Sequence, residues 1–181
     1  MRKYLLGFEF GLGFGVAVVA GVFVLLAVFI YVRFGFLDMR ADIPVNPVEK
    51  AIAMPSLDAS VGRRAPKVQD PISPTDANLT TGMNIYQSNC SMCHGDIDRP
   101  HGKFADVLYP LSPQFVEQAP DMPANQNFFI IQHGIRWTGM PAWKQSLSDQ
   151  QMWQVTTFLS HMDKLPPQVS AQWKTIAGEQ R

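Results

Sequence analysis

The chemistry of this chain is concentrated in one short segment, residues 90–94 with the sequence CSMCH, which holds both of its cysteines. Two thiols three positions apart, followed at once by an imidazole, are the arrangement that attaches a c-type haem. Cys90 and Cys93 can add across the two vinyl groups of one porphyrin, and His94 is then placed beneath the ring as the proximal iron ligand. The segment therefore predicts one covalently attached haem c.

Other uses of a C-x-x-C pair fit the sequence less well. A structural zinc ion takes four ligands, and no second C-x-x-C or H-x-x-x-H completes such a set. A thioredoxin-like pair follows a β-strand, whereas Leu79, Met83 and Tyr86 have the spacing of a helix just before Cys90. A chance occurrence of the motif is the third alternative.

Helical patterns surround the motif. One covers residues 78–90, and a second covers residues 125–133 and is closed by Gly134. A third begins at Ser148, where Gln151 can complete a capping box. We expect Gly82, Tyr86 and Trp153 to form a close crossing between the first and the third helix, because glycine lets backbones approach and aromatic rings fill the space beside it.

The order of these features resembles the small class I cytochrome c domain. The match consists of a helix, the CSMCH segment with Gly95, a proline-rich loop, a helix, the segment GMPAW at residues 139–143, and a final helix. It covers residues 78–162 and is most similar to the membrane-associated versions found in cbb-type oxidases and alcohol dehydrogenase complexes. The resemblance implies an all-α fold, a small class I cytochrome c helical fold around one covalent haem.

The resemblance also implies which residues bind the cofactor. Cys90 and Cys93 would be the thioether sites, His94 the proximal ligand and Met140 the distal ligand. A thioether is a soft, neutral ligand that raises the reduction potential. His133 is the main alternative distal ligand, and the remaining alternatives are His101 and His161.

Further residues are expected around the haem. In the family a backbone carbonyl of a loop proline accepts a hydrogen bond from the proximal imidazole, and Pro110 is the first candidate and Pro113 the second. Arg136 and Trp143 flank Met140 and are candidates for binding the haem propionates, as is Trp137. A solvated arginine is the alternative for Arg136.

The N-terminal region reads as a membrane anchor. No charged residue occurs from Phe10 to Val32, and about 20 apolar residues suffice for a helix to cross a bilayer. A cleaved signal peptide is the alternative, with Arg2 and Lys3 as its basic region. Haem attachment implies export, so we expect a single-pass protein of the bacterial cytoplasmic (inner) membrane. Its N-terminus would be inside and its haem on the periplasmic side.

Small residues recur every four positions along this helix. They form two series, Gly7, Gly11 and Gly15, and then Gly13, Ala17 and Gly21. Such spacing lets a second helix approach closely, although glycine is common in membrane helices generally. The series favour a subunit of a larger membrane complex over a free carrier.

Outside the haem module the sequence predicts little regular structure. Six prolines between residues 35 and 77 are expected to prevent any long helix and to make this stretch a linker. Residues 163–181, which contain Trp173, are expected to be a frayed tail or a docking segment. The predicted organisation is an anchor at 1–34, a linker at 35–77, a cytochrome c domain at 78–162 and a tail at 163–181.

The net charge of the chain and the expected iron ligands limit the functions that the sequence allows. The chain has 15 basic and 15 acidic residues, which gives no reason to expect nucleic-acid binding. An iron with protein ligands on both faces has no open position for a small-molecule substrate. We therefore expect an electron carrier or electron-transfer subunit that works with respiratory protein partners, rather than an enzyme by itself. The alternative is a haem enzyme or a gas or peroxide sensor in which Met140 dissociates.

Overall fold

The computed structural model describes the backbone of residues 2–179 and the side chains of residues 13–179. Within these residues it has no regular strand, in agreement with the predicted all-α fold. The chain divides into two compact units, Met1–Arg40 and Ala41–Arg181. The helices are α1 Arg2–Arg33, α2 Pro47–Arg64, α3 Asp76–Asn89, α4 Ser91–His94, α5 Ala124–His133, α6 Asp149–Leu159 and α7 Pro167–Glu179.

The first unit consists mainly of α1. Its segment Gly13–Arg33 is 21 residues long, exposed, and apolar enough to cross a membrane, a property that N-terminal signal sequences share. A Cβ atom added to Gly15 or Gly21 would meet no atom within 4 Å. The expectations that concern Arg2, Lys3, Gly7 and Gly11 fall on side chains outside the described residues.

The prediction that proline prevents a long helix between residues 35 and 77 is wrong, because α2 is an 18-residue helix. Pro47 stands in its first turn, where an N–H is not needed, and the side chain of Asn46 caps the end by accepting from the N–H groups of Val48 and Glu49. Only Pro55 removes a helical hydrogen bond. The inner side of α2 buries Val61, so this helix packs within the second unit.

The centre of the second unit is the predicted crossing, in which α3 packs on α6. A Cβ on Gly82 would lie 2.1 Å from the carbonyl oxygen of Gln154, so the contact requires glycine. Tyr86 packs on Phe158, with ring centroids 5.5 Å apart. The ring of Trp153 stacks on Phe128 of α5, with centroids 4.1 Å apart.

The ends of α5 and α6 agree with the sequence patterns. α5 ends at His133, followed by Gly134 with a positive φ of 65°. At the start of α6, Ser148 and Gln151 form the expected reciprocal capping box. These local signals place the loop that contains Met140 between two well-defined helices.

The expected C-terminal tail is instead part of the core. α7 buries Val169, Trp173 and Ala177, which share one face because they are four residues apart. The Trp173 indole is only 2% exposed, and its N–H donates to Gln87 Oε1 at 3.0 Å. The domain therefore extends well beyond Met162.

Candidate haem-binding site

The cysteine segment forms a tight turn directly after α3. The N–H groups of Cys93 and His94 both donate to the carbonyl oxygen of Cys90, at 3.1 and 2.9 Å. Gly95 then turns the chain with a φ of 80°, and a Cβ there would lie 2.0 Å from the carbonyl oxygen of Pro100. Glycine is thus required immediately after His94, and the turn that it makes fixes the backbone position of His94.

The imidazole of His94 is held by the loop that follows it. Its Nδ1 donates to the carbonyl oxygen of Pro113 at 2.8 Å, so the first choice for this partner, Pro110, is wrong and the second is right. The ring of Phe115 stacks on the imidazole with centroids 4.3 Å apart and planes 7° apart. Nδ1 is thereby committed to a carbonyl, which leaves Nε2 as the nitrogen that can bind a metal.

Burial keeps this imidazole neutral. Desolvation lowers the pKa of His94, and the hydrogen bond to Pro113 offsets part of that effect. Neutral imidazole is the form that binds metals. Within the described residues no hydrogen bond to Nε2 occurs, and none of the fully buried side-chain nitrogen or oxygen atoms there lacks a partner. Nε2 therefore lies at an accessible edge of the site.

Polar side chains that the sequence analysis did not identify hold the loop against the cysteine turn. Ser112 Oγ and Gln114 Nε2 both donate to the carbonyl oxygen of Cys93, at 2.8 and 3.0 Å. Gln114 Oε1 also accepts from the N–H of Gly102, at 2.7 Å. A side-chain amide inside a proline-rich loop is the signal that could have identified Gln114, because prolines leave backbone groups without helical partners.

Tyr86 contributes its hydroxyl to the same support. The hydroxyl donates to the carbonyl oxygen of Gly95 at 2.6 Å, and the carbonyl oxygen of His94 lies 3.2 Å away. Burial strongly raises the pKa of this phenol, so it remains a donor at all ordinary pH values. Tyr86, predicted from helical spacing as a core residue, thus also links α3 to the turn at His94 by hydrogen bonds.

Both thiols are unbridged and partly buried. Burial, with a smaller contribution from Cys93, raises the pKa of Cys90 to about 12. Burial also raises the pKa of Cys93. Both sulfurs are therefore neutral thiols near pH 7. Cys90 immediately precedes α4 and Cys93 lies within it, next to His94.

The loop that contains Met140 is closed by its own hydrogen bonds. The N–H of Ile135 donates to the carbonyl oxygen of Met140 at 3.1 Å, and the N–H of Met140 donates to Thr138 Oγ1 at 3.1 Å. Beside it, a Cβ on Gly139 would lie 2.7 Å from Leu108. The loop with Met140 thus touches the loop that holds His94, and Met140 itself packs against the core.

The other candidates make contacts of their own. Trp143 is partly buried and packs against the core. Arg136 is exposed, with its guanidinium 4.5 Å from the ring centre of Trp137. His133 is exposed and packs on Phe129. The two remaining histidines are committed elsewhere, since His101 bonds Asp106 and His161 bonds the carbonyl of Thr157.

These residues fit a haem. The site offers two free thiols, a neutral imidazole with one nitrogen held and one accessible, and a thioether in an adjoining loop. Three apolar side chains in the loop that supports His94 are between 39% and 55% exposed, namely Phe104, Val107 and Leu111. Exposed apolar surface of this kind marks a binding site for an apolar group, and a porphyrin is such a group.

One comparison with known proteins, the match to a family model, agrees with this geometry. Residues 77–159 match the family described as cytochrome c oxidase, cbb3-type, subunit III. No curated protein matched the chain. A solved chain of the reducing HAO-like protein complex of Kuenenia stuttgartiensis is 22% identical with a TM-score of 0.42, over 52% of this chain and 48% of that one. Residues 77–159 therefore form a c-type cytochrome domain, whose chemistry is haem-based electron transfer.

Proposed function

We propose that the protein is a membrane-anchored cytochrome with one covalent haem c, which passes single electrons between respiratory-chain partners as a subunit of a larger membrane complex. The observation that carries this proposal is the hydrogen bond from His94 Nδ1 to Pro113. It orients the ring so that Nε2 is available, immediately after two unbridged thiols.

Each residue of the site has a distinct task in this proposal. Cys90 and Cys93 would attach the porphyrin, and His94 and Met140 would ligate its iron. Haem iron supplies one-electron chemistry by alternating between its ferric and ferrous forms. Trp143 and Arg136 are proposed to contact the propionates. Phe115 shields the imidazole from water, since its ring covers one face.

The decisive experiment is to produce the full chain in a bacterium that attaches haem to exported proteins and to purify it in mild detergent. Mass spectrometry should find the added mass of one haem on the peptide that contains Cys90 and Cys93. Carbon monoxide added to the reduced protein should change the spectrum little, because Met140 would already ligate the iron. A chain without added haem would contradict the proposal, and ready carbon monoxide binding would favour a haem enzyme or sensor instead.

The location is part of the proposal. We propose that Gly13–Arg33 anchors the chain in the bacterial cytoplasmic (inner) membrane, with the N-terminus inside and the haem domain on the periplasmic side. Attachment of haem outside the cytoplasm supports this orientation, and the length and apolar character of the helix support the anchor. N-terminal sequencing of the mature protein tests the anchor, since a chain that begins after residue 20 would show a cleaved signal peptide.

The partners are proposed to be proteins. The recurrence of small residues every four positions in the membrane helix supports a neighbouring helix, and the family matched by residues 77–159 is described as an oxidase subunit. Chains that copurify in mild detergent should contain redox centres of their own. Isolation of the haem protein alone, at unchanged activity, would favour a free carrier.

A further inference from the structure

One tryptophan of the second unit lies in an unusual environment. Trp137 is 85% exposed, the highest value for a large apolar side chain among residues 13–179. Trp153 and Trp173 are buried, at 8% and 2% exposure, and Trp143 is partly buried. Tryptophan is large and rarely left open to water on a folded surface, and it is enriched where proteins contact one another.

The backbone holds this side chain outward at a conformational cost. Trp137 has a φ of 62°, in the left-handed region that residues other than glycine and asparagine disfavour. The turn is fixed on both sides, because the N–H of Thr138 donates to the carbonyl oxygen of Ile135 at 3.3 Å and its hydroxyl donates there at 2.8 Å. A rigid turn that presents an indole to solvent is a preorganised contact point.

A cation lies on this indole, and the surrounding loop is positively charged. The Arg136 guanidinium stands 4.5 Å from the ring centre, a cation–π contact. Residues 134–147 contain Arg136 and Lys144 and no acidic residue. The rest of the segment 78–162 contains two basic and six acidic residues, so positive charge is segregated onto the loop with Met140.

We propose that Arg136 and Trp137 form a docking site for an acidic redox protein, which approaches the haem from the side of Met140. This inference rests on the proposed electron-transfer function. Tryptophan and arginine are the residues that most often dominate the binding energy of protein interfaces. Thr138, the next residue, accepts a hydrogen bond from the Met140 N–H, so a partner seated here lies close to the proposed iron ligand.

The small number of basic residues in the loop favours a protein over a lipid surface as the partner that binds there. Basic segments that bind anionic membranes typically carry clusters of about four to eight lysines or arginines, whereas this loop has two. Binding to an acidic protein surface needs fewer basic residues, because a pocket on that surface can also receive the Trp137 indole. Electrostatic attraction of this kind raises the association rate and weakens with salt.

The test follows the haem in native membranes that contain the full-length holoprotein. The respiratory substrate is added, and the rates of haem reduction and oxidation are recorded by stopped-flow spectroscopy. Trp137→Asn removes the indole and tolerates the left-handed turn, and it should slow one of the two rates by roughly tenfold or more. Arg136→Gln should slow the same rate by about threefold or more and reduce its dependence on salt.

Matched controls separate docking from stability. Val68 is 55% exposed outside the haem segment, and Val68→Asn should leave both rates within about twofold of the original. Lys174→Gln, on exposed α7 surface, removes a positive charge elsewhere and should do the same. Haem content and reduction by dithionite should be equal in the original protein, in Trp137→Asn and in the two controls. Equal rates in Trp137→Asn and the original protein would overturn the docking site alone, and a haem that never cycles in the original would overturn both proposals.

Photo-crosslinking identifies the occupant. Benzoylphenylalanine placed at position 137 should give an adduct with an acidic chain that has its own redox centre, and Arg136→Glu should reduce the yield at low salt. Adducts confined to lipid, or the absence of adducts in membranes whose haem cycles normally, would refute a protein partner at this site.

Discussion

The carbonyl oxygen of Pro113 accepts a hydrogen bond from Nδ1 of His94 at 2.8 Å, and it does so across 19 residues of chain. The loop that supplies this carbonyl is itself tied to the cysteine turn through Gln114. Thus the proposed iron ligand is oriented by a loop that the haem-attachment segment holds in place. Partners of this kind typically tune a metal site nearly as strongly as the ligands do.

Covalent attachment should depend on both thiols. We expect Cys90→Ala to leave the haem attached through Cys93 alone, with the absorption shift of a single thioether in the pyridine haemochrome spectrum. The double variant should have no covalent haem. Met92→Ala, at an exposed position between the two, should retain normal attachment. Full attachment in the double variant would exclude the proposed thioether bonds.

Met140 should set the reduction potential. Met140→His should abolish the sulfur-to-iron absorption band and lower the potential by on the order of 0.1 V or more, because imidazole favours ferrous iron less than a thioether does. Met122→Leu, in a half-buried methionine outside the loop, serves as the control. Redox titration and visible spectroscopy are the measurements. An unchanged potential in Met140→His would identify another distal ligand.

The crossing of α3 and α6 should not tolerate a methyl group. Gly82→Ala would place a Cβ 2.1 Å from a backbone oxygen of Gln154, and we expect a loss of roughly 2–4 kcal/mol in the free energy of unfolding. Gly62→Ala in α2 meets only Gln126 Nε2, at 3.9 Å, and should be neutral or stabilising by up to about 1 kcal/mol. Denaturant unfolding of the two holoproteins measures the difference, and equal stabilities would argue against this close crossing.

The C-terminal helix should contribute to the stability of the core. Trp173→Ala removes a buried indole and its hydrogen bond to Gln87, and it should cost about 3–5 kcal/mol of the free energy of unfolding. Trp137→Asn, at the exposed tryptophan, should change stability by less than about 0.5 kcal/mol. Guanidinium unfolding followed by circular dichroism compares them. A small effect at Trp173 would restore the view of residues 163–181 as a tail.

A phenol links α2 to the loop that supports His94. The Tyr109 hydroxyl donates to Glu49 at 2.5 Å and accepts from the N–H of Asn46 at 3.1 Å. The hydrogen bond to Glu49 raises the pKa of Tyr109. Since the folded pKa exceeds the unfolded value near 10, this contact stabilises fully below that pH and is lost as pH rises through the folded pKa.

Ultraviolet titration checks this contact. The difference between the original protein and Tyr109→Phe should show a tyrosine that ionises above its usual range, and Glu49→Gln should bring that pKa down. Amide hydrogen exchange at residues 46–50 should also become faster in Tyr109→Phe. A Tyr109 pKa that is the same with and without Glu49 would contradict the proposed link.

Local sequence signals were sufficient to predict much of the fold. Gly134 ended α5 as expected, and Ser148 with Gln151 capped α6, because caps depend on side chains within one turn of the helix end. The haem-attachment segment is local in the same sense, since its three functional residues share one helical turn. Gly82 was also predicted as a contact point, because a glycine between core residues of a helix has few other uses.

The sequence by itself therefore determined the cysteine turn, the helices around it and the expectation of a haem. Only the tertiary structure decided which proline carbonyl meets His94, since Pro110 and Pro113 differ in loop position and not in residue type. It also decided that α2 and α7 pack on the domain. Proline at a helix start carries no local cost, and whether such a segment becomes ordered depends on the apolar surface that distant residues offer it.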